Sequence, residues 1–270
     1  MKMTTYGFIG CGNMGGALAR AVCRRTDPKD VYLANRSREK AETLAKELGA
    51  NVSSNETIAR ECDYIFLGVK PQMMEEMLCG IRSFLKERKT VPVLVTMAAA
   101  LAIGDIRRMA DTDCHIIRIM PNTPVSVGEG VILYTCDEAV TDDEKRSLLD
   151  VLSDAGMCVE MPEKLIDAGS ALSGCGPAFA QMFIEGLADG AVACGVPRAD
   201  ATRLAAQMLL GSAKLTIESG KSPGTLKEEV CSPGGTTIQG VRVLEERAFG
   251  GAAMDAVIAA YEKTIRLKAK

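Results

Sequence analysis

Tyr6-Gly7-Phe8-Ile9-Gly10-Cys11-Gly12-Asn13-Met14-Gly15-Gly16 joins a short apolar run to a glycine loop and then to a helix-periodic stretch. The spacing Gly10-x-Gly12-x-x-Gly15 carries weight because of its setting: it follows a predicted strand, Tyr6 to Gly10, and opens a predicted helix, Met14 to Arg25. Gly10 permits a tight turn, Gly12 lets backbone approach a ligand, and Gly15 lets the helix press on the sheet. The free N–H groups at the helix start suit a pyrophosphate. On this reading Ile9, Gly10, Cys11, Gly12, Asn13, Met14 and Gly15 form a dinucleotide loop.

The next strand, Val31 to Ala34, ends in Asn35-Arg36-Ser37-Arg38. An enzyme that takes NAD usually places an acid here to hold the ribose hydroxyl. A guanidinium instead pairs with a 2′-phosphate, and Asn and Ser add hydrogen bonds. Asn35, Arg36 and Ser37 therefore predict NADPH as cofactor, with NADH the weaker substitute.

The βαβ alternation continues through residues 1–162. A helix spans Arg38 to Leu48 and stops at Gly49; Val52-Ser53 makes a short strand. Asp63 to Val69 is a buried strand ended by Lys70-Pro71, and Val91 to Thr96, His115 to Ile119 and Gly130 to Thr135 continue the series. Asp142 to Ser153 is again helical. From about Leu165 strand patterns stop, and long Ala, Gly, Leu and Met stretches follow, broken at Gly195-Val196-Pro197, Ser219-Gly220 and Gly250-Gly251. Phe179, Phe183 and Leu187 share one helix face, with Gly186 and Gly190 beside it for close helix contact. Leu204, Met208 and Ala213 mark a further helix entered through Pro197, with Asp200 in its first turn. The expected architecture is α/β: a Rossmann-type dinucleotide-binding domain over residues 1–162, then an all-α domain over 163–270. The helical half carries more apolar surface than it can hide alone, which implies a homodimer formed through it, with higher homo-oligomers open.

Bulk properties narrow the function. A net charge of -3 gives no basic footprint for nucleic acid, and no uninterrupted apolar run is long enough for a membrane span. Ten cysteines without a C-x-x-C pair, beside a single histidine, argue against a metal centre and for a reducing cytoplasm.

A second small-residue loop, Cys231-Ser232-Pro233-Gly234-Gly235-Thr236-Thr237, opens the helix containing Ile238, Val241, Val243 and Leu244. Its hydroxyls and unhindered N–H groups suit a small carboxylate; composition alone equally allows a plain helix cap. The only histidine, His115, opens a strand beside Ile116 and Ile117 and reads as structural. After Gly174-Cys175-Gly176-Pro177 no lysine occurs before Lys214, so the helix lysine of β-hydroxyacid dehydrogenases is missing. Hydroxy-acid oxidation needs a group to take the alcohol proton, whereas reduction of a protonated imine does not. The residues favour C=N over C=O chemistry.

Several stretches jointly resemble the Δ1-pyrroline-5-carboxylate reductases. They are Gly7-Phe8-Ile9-Gly10-Cys11-Gly12-Asn13-Met14, Val69-Lys70-Pro71-Gln72, Met120-Pro121-Asn122-Thr123-Pro124, Leu172-Ser173-Gly174-Cys175-Gly176-Pro177-Ala178-Phe179 and the Ser232–Thr237 loop. The resemblance implies NADPH-dependent reduction of L-1-pyrroline-5-carboxylate to L-proline. It also implies that Arg36 and Asn55 sit at the adenosine end, with Val69, Lys70, Pro71, Ala98 and Ala99 toward the nicotinamide. Ser232, Gly234, Gly235 and Thr236 would bind the substrate carboxylate, Thr237 would act catalytically on the ring nitrogen, and Glu163 would lie near the substrate. Cys175 departs from the second serine of many relatives. Cys11 and Cys231 flank the two loops, which makes them expected points of oxidative inactivation. Two rival readings remain: another NADP-linked imine reductase or β-hydroxyacid dehydrogenase, and a non-catalytic NADP-binding regulatory protein.

Overall fold

The computed structural model describes residues 3–268. The chain divides into two compact units, Met1–Gly174 with Tyr261–Lys270 and Cys175–Ala260. The first runs β1 (Tyr6–Ile9), α1 (Asn13–Arg25), β2 (Val31–Ala34), α2 (Arg38–Leu48), β3 (Asn51–Val52), α3 (Asn55–Glu61), β4 (Tyr64–Leu67), α4 (Met74–Lys86), β5 (Val93–Thr96) and α5 (Ile103–Ala110). It continues with β6 (His115–Pro121), β7 (Gly130–Cys136), α6 (Asp142–Leu152), β8 (Gly156–Glu160) and α7 (Glu163–Ser173). The helices α8 (Gly176–Ala193), α9 (Arg198–Ser219), α10 (Pro223–Glu229), α11 (Thr236–Glu246) and α12 (Phe249–Lys268) follow. None of the described helices is long and apolar enough to cross a membrane.

The sheet order is β3-β2-β1-β4-β5-β6-β7-β8, with every neighbouring pair parallel except β6 and β7. The order reverses between β1 and β4, leaving a crevice at their carboxyl ends where such sheets take ligands. Alternation along the strands sorts two cores. Tyr6, Phe8, Tyr64, Phe66, Val93 and Val95 face α1, α2 and α6; Ile9, Ile65, Leu67 and Leu94 face α3, α4 and α5. Phe8 and Phe66 stack at 4.4 Å between ring centroids across the β1–β4 seam.

Most expected elements are present. β1 stops at Ile9 because Gly10 turns away at φ +105°, and α2 ends at Gly49 in the left-handed region at φ +75°. β8 was not expected. It is an edge strand whose Met157 and Glu160 are exposed, so it lacks the apolar run that marks a buried strand.

The first compact unit extends through Gly174 and so takes in α7. The reason is packing. Ile166 of α7 shares a core with Met120 of β6 and Leu133 of β7, and burying that side chain is worth about 1.5–3 kcal/mol. Beside it Arg118 of β6, 0% exposed, donates from Nη2 to Asp167 Oδ1 at 2.8 Å.

In the second unit α8 packs on α9 around Ala188, Ala201 and Ala205. Phe179, Phe183 and Leu187 lie half-buried on one face of α8. Gly186 and Gly190 do not serve a close helix contact within the chain, since a Cβ at either would meet nothing within 4 Å. Met182, Leu204 and Ile217 remain 71%, 60% and 74% exposed.

Removing one member of a buried ion pair strands the other charge and costs about 3–5 kcal/mol, against less than about 1 kcal/mol for a surface pair. Asp167→Ala is therefore expected to lower the urea midpoint far more than Glu42→Ala, which breaks the exposed Arg38–Glu42 pair. Equal midpoints for the two variants contradict the assignment.

Candidate active site: a dinucleotide cradle and a helix-start loop

The loop after β1 is shaped by what it lacks. A Cβ on Gly15 would lie 2.1 Å from the Gly10 carbonyl oxygen, and one on Gly68 would lie 2.4 Å from the same atom. A Cβ on Gly10 would itself strike the Gly68 backbone at 2.6 Å. Three glycines thus let the β1 loop, the α1 start and the β4 end share one small volume. Gly12, by contrast, faces open space, as a residue over which a ligand's phosphates pass requires. Gly68 was missed from sequence; a glycine directly after the buried strand Tyr64–Leu67 was the available signal.

Hydrogen bonds fix this cradle. Gly10 N–H donates to Ala34 O and Gly68 N–H to Ile9 O, both at 2.8 Å. Ile9 is buried in the core and reaches the loop only through that carbonyl. α1 begins with Gly12 as cap, no side-chain cap and no acid in its first turn, so its leading N–H groups remain for an anion.

At the β2 end the three polar residues differ. Asn35 Oδ1 accepts from Cys11 N–H at 3.0 Å while its Nδ2 donates to Ser37 O at 3.0 Å, so this side chain ties the loop to β2. Arg38 pairs with Glu42 at 2.9 Å. Arg36 is exposed and touches Met73 Sδ at 3.8 Å, with no carboxylate at ion-pair distance among the described residues. A groove of about 450 Å³ is lined by Cys11, Gly12 and Asn13 of the loop and by Arg20, Ser37, Glu39, Lys40 and Glu47, with Arg20 and Glu47 paired at 2.7 Å. Lys40, four residues after Arg36, was not singled out from sequence. Asn55 begins α3 after Ser54, the cap that accepts from Thr57 N–H. Val69, Lys70 and Pro71 follow β4, and the buried Ala98 and exposed Ala99 follow β5, all at the carboxyl edge.

The second loop stands in the helical unit. Gly235 N–H donates to Ser232 O at 3.0 Å, with Pro233 at the second turn position and Gly234 at φ +69° in the third. That is a type II turn, which demands glycine at Gly234. A Cβ at Gly235 would lie 2.3 Å from Ser232 Oγ and would turn that hydroxyl out of its present position. The turn delivers the chain into α11 with no side-chain cap and no acid in the first turn. Ser232, Thr236 and Thr237 are exposed around that start.

Glu163, expected near the substrate, is engaged within the fold: its Oε1 accepts from Ile103 N–H at 2.7 Å and lies 3.5 Å from Arg118 Nη1. His115 Nδ1 sits 2.8 Å from both oxygens of Glu144, the residue that closes the capping box of α6, consistent with a structural role. Asn122 of the Met-Pro-Asn-Thr-Pro stretch bridges Val131 N–H at 2.9 Å and Ser173 O at 2.9 Å, holding the end of α7 to β7. Cys175 is exposed and precedes α8.

Residues 163–267 match the family model for pyrroline-5-carboxylate reductase dimerisation, and residues 5–99 match that for NADP oxidoreductase, coenzyme F420-dependent. The Escherichia coli pyrroline-5-carboxylate reductase is 39% identical over 264 residues, covering 97% of each chain. The chain belongs to the pyrroline-5-carboxylate reductase family. A Plasmodium falciparum pyrroline carboxylate reductase solved with NADP bound is 33% identical, with a TM-score of 0.87 over 99% of each chain. The Coxiella burnetii pyrroline-5-carboxylate reductase is 29% identical, with a TM-score of 0.90 over 98% of each. A pyrroline-5-carboxylate reductase is an NADP-dependent oxidoreductase, and the glycine cradle with its open Arg36 fits that cofactor.

Cys11 bears on the oxidation expected at the cradle. Burial pushes its thiol up to about 11, and Sγ donates to Ala34 O at 3.5 Å. The thiolate is the reactive form, so Cys11 stays protonated and inert until the pH nears that value. Iodoacetamide at pH 7.5 is expected to label exposed Cys79 and leave Cys11 untouched by peptide mass spectrometry, with Cys11 labelling rising only in strong alkali. Equal labelling of both at pH 7.5 contradicts a buried thiol.

Proposed function

We propose that the chain reduces L-1-pyrroline-5-carboxylate to L-proline, with the 232–237 loop holding the substrate carboxylate. The observation that carries this reading is the uncapped start of α11 behind a turn built from Ser232 to Gly235. A helix start of this kind concentrates partial positive charge without a cation that would bind the carboxylate too firmly. Ser232 and Thr236 add hydroxyl donors, and Gly234 and Gly235 leave the backbone open. Thr237 accepts the iminium N–H and thereby turns C5 toward the hydride donor.

NADPH, when bound, supplies the hydride. That hydride forms the new C–H bond at C5 while the C=N π electrons become the lone pair of the ring nitrogen. The secondary amine then takes a proton from solvent. No side chain has to donate or remove a proton at carbon, which agrees with the absence of lysine between Pro177 and Lys214. Arg36 and Lys40 pair the 2′-phosphate, Ser37 adds a hydroxyl, and Asn55 completes the adenosine end. Val69, Lys70, Pro71, Ala98 and Ala99 line the nicotinamide end.

The apolar residues left exposed on α8 and α9 suit a second copy of the chain, so we place the homodimer contact there. Free thiols suit the cytoplasm. A solution mass equal to one chain contradicts the dimer.

The assay is NADPH consumption with pyrroline-5-carboxylate, alongside hydroxy acids and other cyclic imines. One hydrogen bond of about 1–3 kcal/mol at the reacting nitrogen makes Thr237→Ala roughly ten- to a hundredfold slower in kcat/KM. An unchanged value removes Thr237 from the mechanism. Arg36→Ala is expected to raise KM for NADPH roughly tenfold or more while sparing NADH, because only NADPH carries the 2′-phosphate. Equal losses for both cofactors contradict the pairing.

A further inference from the structure

The segment between β5 and α5, residues 97–102, is an unusual way to end a strand. Ala100 adopts φ +67°, a left-handed conformation that a residue with a Cβ holds only when its surroundings impose it. Its near side is lightly fixed, by Ala98 N–H to Thr96 Oγ1 at 3.4 Å. Its far side is held firmly. Ala102 N–H donates to Asp105 Oδ2 at 3.0 Å, and Ile103 N–H donates to Glu163 Oε1 at 2.7 Å across a sequence separation of 60.

Glu163 is the first residue of α7, and Asp167 is four residues on, so both project from one face of that helix. That face meets Arg118. The guanidinium is fully buried, pairs with Asp167 at 2.8 Å and lies 3.5 Å from Glu163, while Nε and Nη1 have no hydrogen-bond partner among the described residues. Arg118 stands opposite Thr96 in the β5–β6 register, directly below the 97–102 segment. A buried cation is a costly way to dock a helix; an apolar residue would dock it at no such penalty. What the cation adds is direction: it fixes α7 so that the Glu163 carboxylate arrives at the Ile103 amide.

We propose that Arg118, Asp167 and Glu163 form a brace that sets the position of residues 97–102, and that Glu163 is a positioning residue for hydride transfer. This rests on the reading above that Ala98 and Ala99 line the nicotinamide end. Glu163 acts through the backbone of Ile103, without touching substrate.

Two variants separate reach from charge. Glu163→Asp keeps the carboxylate near Arg118 but falls a methylene short of Ile103. Glu163→Gln loses the charge and keeps an acceptor at full length. The brace requires that the Asp variant lose roughly tenfold or more in kcat with KM for pyrroline-5-carboxylate within about twofold, and that the Gln variant retain kcat within about threefold. Amide hydrogen exchange on the ligand-free proteins supplies the second readout. The Ile103 amide is expected to exchange at least about tenfold faster in the Asp variant and near the parent rate in the Gln variant. A fall in kcat with unchanged Ile103 exchange overturns the proposal in favour of direct contact with a ligand. So does a Gln variant as impaired as the Asp variant. If the parent chain itself fails to oxidise NADPH with pyrroline-5-carboxylate, the functional reading fails, while the Ile103 exchange rates still decide whether the brace exists.

Discussion

One backbone oxygen, the carbonyl of Gly10, governs the dinucleotide unit. Gly15 and Gly68 each approach it so closely that a Cβ on either would overlap it. That approach requires β1 and β4 to be neighbours, although β2, β3 and three helices intervene in sequence. It also requires the β1–β4 register to be fixed, with Ile9 opposite Leu67, so that the two glycine turns emerge level. The Phe8–Phe66 stack one residue earlier, in a core with zero exposure for both rings, holds that register. A slip by one residue would turn those rings into the opposite core and separate Gly10 from Gly68. The ligand crevice is therefore a consequence of aromatic packing upstream of it.

What could be read from the sequence follows the range of each interaction. Gly10, Gly12 and Gly15 lie within one turn and its helix, so their spacing alone gives the strand, the loop and the helix. Gly68 acts on Gly10 from a distant strand; its place directly after the buried strand Tyr64–Leu67 marks a turn, but its partner is hidden until the strand order is known. Arg118 is harder still. Within Ile116-Ile117-Arg118-Ile119 it reads as an interruption, and its burial makes sense only with Asp167 placed opposite by α7. The place of α7 is hidden for the same reason, since it has a helical pattern like those after it but packs on β6 and β7. At the second loop the turn is legible from Pro233 and Gly234, while the residues alone leave helix cap and carboxylate site equal, and the latter reading rests on the family resemblance.

The helical unit shows how composition and contacts answer different questions. α8 and α9 meet through Ala188, Ala201 and Ala205, with Ile184, Leu187 and Val192 packed against them, a small core for two helices. The larger residues, Met182, Leu204 and Ile217 among them, point away from that contact. Those exposed apolar residues accord with the match of residues 163–267 to the dimerisation family model.

The treatment of helix starts separates scaffold from site. Each helix leaves N–H groups without partners in its first turn, and a fold ordinarily answers with a cap or an acid. α3, α6 and α10 receive side-chain caps from Ser54, Thr141 and Ser222. α2, α4, α5, α7 and α9 carry a carboxylate in the first turn. Among α1 to α11, only α1, α8 and α11 have neither. In α8 the proline at Pro177 removes one donor outright, which lowers the demand for a cap. α1 and α11 keep all their donors and are entered through Gly12 and Gly235, residues with no side chain to fill the space in front. With glycine as the cap, leaving donors unanswered at two helix starts forfeits a few tenths of a kcal/mol at each relative to a serine or aspartate cap. An anion at either start would meet those free N–H donors, so the two glycine-entered starts are where the fold has most to gain from a phosphate or a carboxylate.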